Sequence, residues 1–273
     1  MMFTIIGASG FVGSHLTRYL RTHGHEVAAP ERDGRTAYDK HLGHAVYCAG
    51  MTADYAARPV ATVEAHAGLL SRLLSEANFD SLLYLSSTRL YDGCAGLCRE
   101  ETDLVLNPAN PRHLFDFSKG LGESLCHTSG REGVRIARLS SVYADDLSAD
   151  NFLHGLIKSA LTGTRIEVDA PTNTERDYVH MDDVCRLLEA IALTGKRPVY
   201  NVASGENVAN GRLFALISEL TGARVSGGAP KPGLSFPVIS VAAAESDFGF
   251  RPAPLEFHLR RILAAKPKRA AGR

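Results

Sequence analysis

Short apolar runs alternate along the chain with segments that keep helical spacing. The run MFTII precedes the glycine-rich stretch GASGFVG, and the apolar positions from Phe11 to Leu20 recur at the spacing of an amphipathic helix that Gly24 would end. HEVAA and HAVYCAG follow as two more strand candidates. The connection between them is short, so we predict at most one small helix there, near Ala37 to Leu42.

The same alternation continues towards residue 143. Val60 to Ala77 keeps one apolar helical face, and SLLYLSS is apolar without alternation, as a buried parallel strand requires. Leu114 to Ser129 predicts another helix, and VRIARLSSVY predicts one further strand. Strands that alternate with helices indicate an α/β fold with a Rossmann-like, doubly wound parallel sheet.

The pattern loosens after Asp145. Beyond it we predict two helices, a returning strand and a Gly- and Pro-rich surface loop: Asn151 to Thr162, Asn210 to Thr221, PVYNVAS and Gly222 to Pro237. We therefore expect residues 1–145 to form a dinucleotide-binding domain. Residues 146–273 should form mainly a small substrate-binding part, with the 176–202 segment returning to the core domain.

Composition and charge narrow the class of protein. Hydrophobic residues make up 45% and charged residues 22%, and 30 basic residues balance 30 acidic ones, so neither disorder nor a nucleic-acid partner is indicated. No apolar stretch approaches a membrane span, and the first residues lack the layout of a secretion signal. The five scattered cysteines predict reduced thiols in the cytoplasm and no metal site.

The stretch from Gly7 to Gly13 is the first candidate for chemistry. Glycines between a strand and a helix permit a tight turn and let the backbone approach a pyrophosphate at the helix N-terminus. We predict NAD as the cofactor, with NADP possible. A carboxylate after the second strand favours NAD, whereas arginines there favour NADP. The stretch APERDGR offers both, with Glu31 for NAD and Arg32 and Arg35 for NADP. The predicted cofactor-binding residues are Gly7, Ser9, Gly10, Phe11, Val12, Gly13, Glu31, Arg32 and Ala49.

Four motifs in order carry a resemblance to a known family: GASGFVG, LSSTRLYDG at 85–93, FDFSKGLGE at 115–123 and RDYVHMDDV at 176–184. With them the chain resembles the extended short-chain dehydrogenase/reductases, and within these the NAD-dependent epimerase/dehydratases that act on nucleotide sugars. The resemblance covers residues 2–263. It implies a nucleotide-sugar or similar small-molecule substrate and a homodimer formed through the Val60 to Ala77 and Leu114 to Ser129 helices.

The resemblance also implies roles for individual residues. Ser87 would hydrogen-bond the oxygen that is oxidised or reduced, and Lys119 would bind the nicotinamide ribose. Arg176 would contact the diphosphate of the sugar nucleotide, for which a guanidinium fork is suited, unless it only pairs with Asp177 at the surface. Thr88 and Ser141 complete the predicted substrate-binding set.

One position departs from the family in a way that bears on catalysis. The tyrosine expected four residues before Lys119 is Phe115, which carries no proton to transfer. Tyr91 is our leading candidate for a substitute acid/base, with His113, Asp116 and Ser87 as alternatives.

Three further departures concern the rest of the site. Ser141 and His66 stand where the family commonly has asparagines, and Thr88-Arg89 stands where sugar 4,6-dehydratases have Asp-Glu. The last change argues against dehydration, which needs a positioned acid and base.

These observations favour an NAD(P)-dependent nucleotide-sugar epimerase, or a related sugar oxidoreductase, with an atypical active site. A net NADPH-dependent reductase is the alternative among enzymes. A redox-inactive NAD(P)-binding regulatory or scaffold protein is the alternative outside them.

Overall fold

The computed structural model describes residues 1–30, 40–232 and 236–265 of the 273-residue chain. The strands are β1 Met2–Ile6, β2 Glu26–Ala28, β3 His44–Tyr47, β4 Ser81–Ser87, β5 Leu97–Cys98, β6 Val134–Leu139, β7 Ser141–Tyr143, β8 Arg165–Pro171, β9 Glu175–His180, β10 Val199–Val202, β11 Asn207–Ala209, β12 Arg224–Gly228 and β13 Val238–Ile239. The α-helices are α1 Phe11–Thr22, α2 Pro59–Val63, α3 Leu69–Glu76, α4 Leu114–Thr128, α5 Phe152–Thr162, α6 Met181–Thr194, α7 Asn210–Thr221, α8 Ala242–Phe248 and α9 Leu255–Ala264.

A six-stranded sheet forms the centre of the molecule. Its strand order is β2-β1-β3-β4-β6-β10, and every pair in it is parallel. The chain steps outward from β1 to β2 and then crosses to the other side of β1 to form β3. The strand order therefore reverses between β1 and β3, and in such sheets the ligand crevice lies at the carboxyl ends of the strands at this point. The predicted doubly wound parallel sheet is confirmed.

Both faces of this sheet are covered. Phe3 and Ile5 of β1 belong to an apolar cluster with residues of α1 and α6, whereas Tyr47 and Tyr84 belong to a cluster with residues of α3 and α4. Successive side chains of a strand point to opposite faces, so two covered faces require apolar residues at every position. This explains the unbroken run in SLLYLSS.

The helix predicted from Val60 to Ala77 forms, but it is not regular. One π-helical turn, Glu64–Gly68, separates α2 from α3. Such turns often occur at functional sites, since the wider turn redirects a side chain that a regular helix would place elsewhere. Here the turn contains His66, which is fully buried.

Two predictions after β4 were wrong in detail. VRIARLSSVY is two strands, because Ser140 donates its backbone N–H to Val202 and the chain then leaves the main sheet for a second sheet, β11-β9-β7. The region predicted as a loop from Gly222 contains β12, which pairs with β8. Gly227 permits this, since a side chain there would overlap the ring of Phe214.

The segments after residue 145 build their own core. Helices α5, α7 and α9 supply most of its buried apolar residues, while β10 returns to the main sheet. The short helix predicted near 37–42 lies partly outside the described residues, and within them His41 forms a β-bridge with Asn78 instead. Within the described parts of the chain, no helix combines the length and apolarity needed to cross a bilayer.

Candidate active site

The glycine turn closes directly after β1. Gly7 has a φ of +87°, and its carbonyl accepts a hydrogen bond of 3.0 Å from the N–H of Gly10. A Cβ on Gly7 would lie 2.7 Å from the backbone N of Ala49, and one on Gly13 would overlap the carbonyl of Gly7. Both positions therefore need glycine, and the turn brings the ends of β1 and β3 together at the point where the strand order reverses.

The same turn leaves an anion-binding helix end. Helix α1 begins at Phe11 with Gly10 as its cap, which offers no side chain, and its first turn carries no acidic residue. The first N–H groups of a helix have no partner within the helix and attract negative charge. The predicted residues Ser9, Phe11 and Val12 lie in or beside this first turn, so the geometry fits a pyrophosphate. Glu31 and Arg32, together with Arg35, lie outside the described residues.

Replacing Gly13 by alanine should weaken cofactor binding, because the methyl group would overlap the carbonyl of Gly7 that closes the turn. We expect the affinity for NAD, measured by isothermal titration calorimetry, to fall at least ~30-fold, which corresponds to about 2 kcal/mol of lost binding free energy. Gly155→Ala is the matched control. Gly155 is exposed on helix α5 with nothing near its added Cβ, so the variant should leave affinity unchanged. Equal affinities for both variants would contradict this account.

Lys119, on helix α4, also lies at the end of the strands where the glycine turn is found. It lies on the buried face of α4, and its Nζ donates a hydrogen bond of 2.8 Å to the carbonyl of Leu85 in β4. A Cβ on Gly50, just after β3, would be 3.4 Å from this Nζ. Burial lowers the pKa of Lys119 to about 8. An ammonium has three N–H donors, so others besides the one used by Leu85 can serve a ligand.

His66 ties the end of β3 to helix α4. Its Nε2 accepts the N–H of Met51 at 3.1 Å, and its Nδ1 lies 2.7 Å from Ser118 Oγ. Ser118 uses its own proton to donate to the carbonyl of Phe115 at 2.8 Å, so His66 Nδ1 must carry the proton between them. Burial, followed by the charge of Lys119, lowers the pKa of His66 to about 3. The ring is therefore a neutral cross-link whose two nitrogens are both used.

Phe115 lies at the centre of an aromatic and charged cluster. Its ring, 4% exposed, meets His66 edge-on at 5.2 Å between centroids and Tyr55 edge-on at 5.6 Å. The Arg89 guanidinium lies 5.0 Å from the Phe115 centroid and 4.8 Å from that of Tyr55. Arg89 Nε also pairs with Asp116 at 3.1 Å. The sequence drew attention to Phe115, but nothing in it indicated that Tyr55 would lie beside this position.

Ser87 ends β4 at this edge and caps the short helical turn that follows. Its Oγ accepts the N–H of Arg89 at 3.2 Å, which leaves its own proton to donate, and Thr88 beside it is buried. Ser87 lies two residues beyond Leu85, the residue whose carbonyl holds Lys119. The predicted serine and lysine therefore lie at the same edge of the sheet.

Tyr91 is placed differently from what its predicted role requires. It is fully buried, and its hydroxyl accepts a hydrogen bond of 2.6 Å from Arg138, which in turn pairs with Glu123. The same hydroxyl has two acceptors for its proton, the carbonyl of Arg99 at 2.9 Å and Asn201 Oδ1 at 3.0 Å. Burial raises the pKa of Tyr91 to about 12. The hydroxyl thus serves a buried structural network, which disfavours proton exchange with a substrate.

The other candidate groups also have structural partners. His113 Nδ1 accepts the N–H of Asn107 at 2.9 Å. Burial raises the pKa of Asp116, and its carboxylate forms an ion pair with Arg89. Arg176 is exposed on β9 and does not pair with Asp177, whose carboxylate instead accepts from Ser140, Ser204 and Gly205. Ser141, half-buried in β7, lies on the same small sheet as Arg176.

Comparison with known proteins identifies the family. A sequence model of the NAD dependent epimerase/dehydratase family matches residues 3–203. This match covers well over half of the chain, so the chain belongs to that family. The predicted family, and with it the prediction of an NAD-dependent enzyme, is confirmed.

Individual relatives have low sequence identity to the chain but match most of its length. The chain is 25% identical over 263 residues to dTDP-4-dehydro-6-deoxy-D-allose reductase from Streptomyces sp, with 80% of each chain covered. It is 25% identical over 251 residues to UDP-glucuronic acid decarboxylase 1 from Xenopus tropicalis, covering 80% of this chain and 60% of that one.

Solved structures share the fold. MoeE5, solved with UDP-glucuronic acid and NAD, superposes with a TM-score of 0.79 at 24% identity, covering 97% of both chains. UDP-glucuronic acid 4-epimerase from Bacillus cereus, also solved with UDP-glucuronic acid and NAD, gives 0.78 at 18% identity, again covering 97% of both. The predicted fold class is thereby confirmed.

Proposed function

We propose that this family member is an NAD-dependent nucleotide-sugar epimerase, or a related sugar oxidoreductase, whose active site lacks the tyrosine usual before Lys119. The observation that carries the proposal is the position of Lys119. It is buried beside Gly50 and bound to Leu85, at the same sheet edge as the glycine turn and Ser87. Relatives named as reductase, decarboxylase and epimerase of nucleotide sugars support the substrate class.

Each predicted residue then has a place in the reaction. The N–H groups at the start of α1 would bind the pyrophosphate of NAD, and Lys119 would donate to its ribose hydroxyls. When bound, NAD supplies the hydride acceptor. Ser87 would donate its proton to the reacting sugar oxygen, and Thr88, Ser141 and Arg176 would bind the rest of the nucleotide sugar. The nucleotide sugar would lie in the cleft between the dinucleotide-binding domain and the substrate-binding part after residue 145.

Dehydration is disfavoured by the residue that replaces the dehydratase carboxylate. Arg89 stands there, and its guanidinium is paired with Asp116 and lies over two aromatic rings. A guanidinium cannot act as a base at neutral pH. A net NADPH-dependent reductase remains the alternative enzyme, supported by the reductase among the relatives. The redox-inactive binder is the alternative outside the enzymes.

The proposal is tested by what the purified protein retains and converts. Mass spectrometry of small molecules released on denaturation should find NAD, part of it reduced. A panel of UDP- and dTDP-sugars should then include one that changes absorbance near 340 nm or is epimerised. Retention of NADP with net consumption of NADPH would favour the reductase. Absence of turnover across the panel would favour the binder.

We also propose a homodimer, in the cytoplasm, formed through α2 to α4. These neighbouring helices expose four apolar side chains, namely Val60 at 82%, Val63 at 37%, Phe117 at 37% and Leu121 at 48%. Exposed apolar side chains grouped on one surface are typical of protein interfaces.

Charges on this surface should separate the dimer. Light scattering should show that Phe117→Glu combined with Leu121→Glu converts a dimer of the wild type into a monomer, because two carboxylates would be buried without partners at the interface. Phe257→Glu is the control: it is 58% exposed on α9, away from these helices, and should remain dimeric. A wild-type monomer, or a double variant that stays dimeric, would contradict the proposed interface.

A further inference from the structure

Tyr55 is brought against Phe115, the residue at the position of the family's tyrosine, by the loop that follows β3. The loop is anchored by Thr62, whose Oγ1 has two loop carbonyls as acceptors for its proton, that of Arg58 at 2.9 Å and that of Tyr55 at 3.3 Å. The Tyr55 ring meets the edge of the Phe115 ring at a centroid distance of 5.6 Å. Since this loop leaves β3 at the carboxyl edge of the sheet, Tyr55 lies on the side where NAD and substrate would bind.

The hydrogen bonds of Tyr55 distinguish it from the other tyrosines near the site. Its hydroxyl accepts from Arg89 Nη2 at 3.1 Å. A guanidinium only donates, so the proton of Tyr55 is directed elsewhere. By contrast, Tyr47 and Tyr84 give their protons to the carbonyls of Ala65 and His66, and the proton of Tyr91 has two buried acceptors. Among the described residues, Tyr55 is the tyrosine that contacts Phe115 with its proton still available, on a half-buried side chain.

Arg89 gives this phenol a favourable electrostatic setting. Its charge faces the oxygen on which negative charge develops when the proton leaves, and such preorganised donors stabilise charge in a partly buried site. Arg89 is itself held by Asp116 and by the carbonyl of Arg112, which accepts from Nη2 at 2.8 Å. Arg89 therefore positions and supports Tyr55 without having to exchange a proton itself.

We propose that Tyr55 is the catalytic acid/base of this site and replaces the tyrosine absent at Phe115; the proposal rests on the proposed function. In the oxidising direction Tyr55 first releases its own proton to solvent, and its oxygen then takes the proton of the sugar hydroxyl. The O–H bonding pair becomes the second carbon–oxygen bond, and hydride leaves the same carbon with the C–H bonding pair for the nicotinamide of bound NAD. In the reducing direction hydride returns to the carbon and Tyr55 returns the proton to oxygen.

The test compares Tyr55→Phe with the wild type, using the nucleotide sugar that the panel identifies. We expect kcat to fall ~10²–10⁴-fold, the usual contribution of positioned acid–base catalysis. Dissociation constants for NAD and for the sugar, measured by calorimetry, should stay within about threefold, because the phenol proton and not the ring contact is lost. The limb of the pH–rate profile that reports the proton acceptor should disappear. Tyr19→Phe, which removes a hydroxyl bonded to Glu189 at 3.0 Å, is the matched control and should retain full turnover.

Rescue makes the test specific. Phe115→Tyr introduced into Tyr55→Phe should recover at least tenfold of the lost kcat, since it restores a phenol one helical turn from Lys119. In the wild type, Phe115→Tyr should raise kcat by a smaller factor, because an acid/base is already present. Turnover of Tyr55→Phe within threefold of an active wild type would overturn the role of Tyr55 alone. A loss of turnover that is accounted for by weaker binding of NAD or of the sugar would also overturn the role of Tyr55 alone. A wild type that turns over no nucleotide sugar would overturn the proposed function, and the role of Tyr55 with it.

Discussion

Lys119→Met should lower kcat/KM for hydride transfer at least ~10²-fold while making the unliganded protein more stable. Activity falls because the ammonium that would bind the nicotinamide ribose is gone. Stability rises because a buried charge is removed: a pKa of about 8 instead of 10.5 corresponds to at most about 3 kcal/mol at neutral pH. The hydrogen bond to Leu85 is also lost, so we expect a net gain of about 1–2 kcal/mol.

The pH dependence of stability identifies Lys119 as the cause. Its pKa is lower in the folded than in the unfolded protein, so the penalty is fully present below pH 8 and is relieved as the pH rises towards 10.5. The difference in unfolding free energy between Lys119→Met and the wild type, from urea titrations, should therefore shrink across that range. Other groups titrate in both proteins and cancel in the difference. An advantage that stays constant with pH, or a variant with full activity, would contradict this account.

His66→Leu should be strongly destabilising, although it places a leucine in a fully buried position. It leaves the Met51 N–H without its partner, which costs about 1–3 kcal/mol, and it removes the hydrogen bond that Ser118 Oγ accepts, although Ser118 still donates to Phe115. We expect a loss of roughly 2–4 kcal/mol in unfolding free energy and a Tm lower by about 5–10 °C. Activity should fall as well, because the end of β3 would no longer be tied to the helix that carries Lys119.

Lowering the pH should remove the contribution of His66 to the unfolding free energy. The pKa of His66 is about 3 in the fold against 6.5 unfolded, so its contribution to stability is complete above pH 6.5 and is lost as the pH falls towards 3. The loss reaches roughly 4 kcal/mol. His66→Gln cannot titrate yet keeps a donor and an acceptor, so its stability should decline less than that of the wild type between these pH values. Parallel declines would show that other groups cause the acid sensitivity.

Much of the fold was predictable because it depends on local patterns. The glycine turn was predictable because two of its positions exclude a side chain. Gly7 has a φ of +87°, and a Cβ on Gly13 would overlap the carbonyl of Gly7. The sheet follows from apolar runs covered on both faces. Comparison of the motifs that contain Ser87 and Lys119 with those of the family also showed that Phe115 replaces the expected tyrosine. The division into domains at residue 145, and the roles of the individual site residues, stay predictions.

The group that could move the proton could not be predicted in this way. Tyr91 has a suggestive place in the motif, but the fold buries its hydroxyl against Arg138 and Asn201, which lie 47 and 110 residues away in sequence. Tyr55 belongs to no motif and meets Phe115 only because the loop after β3 and the start of α4 converge at one sheet edge. The sequence by itself determined the parallel sheet, the glycine turn and the absence of a phenol at residue 115. Only the tertiary structure decided which tyrosine beside Phe115 keeps a proton to give, because hydrogen bonds to other segments consume the protons of Tyr47, Tyr84 and Tyr91.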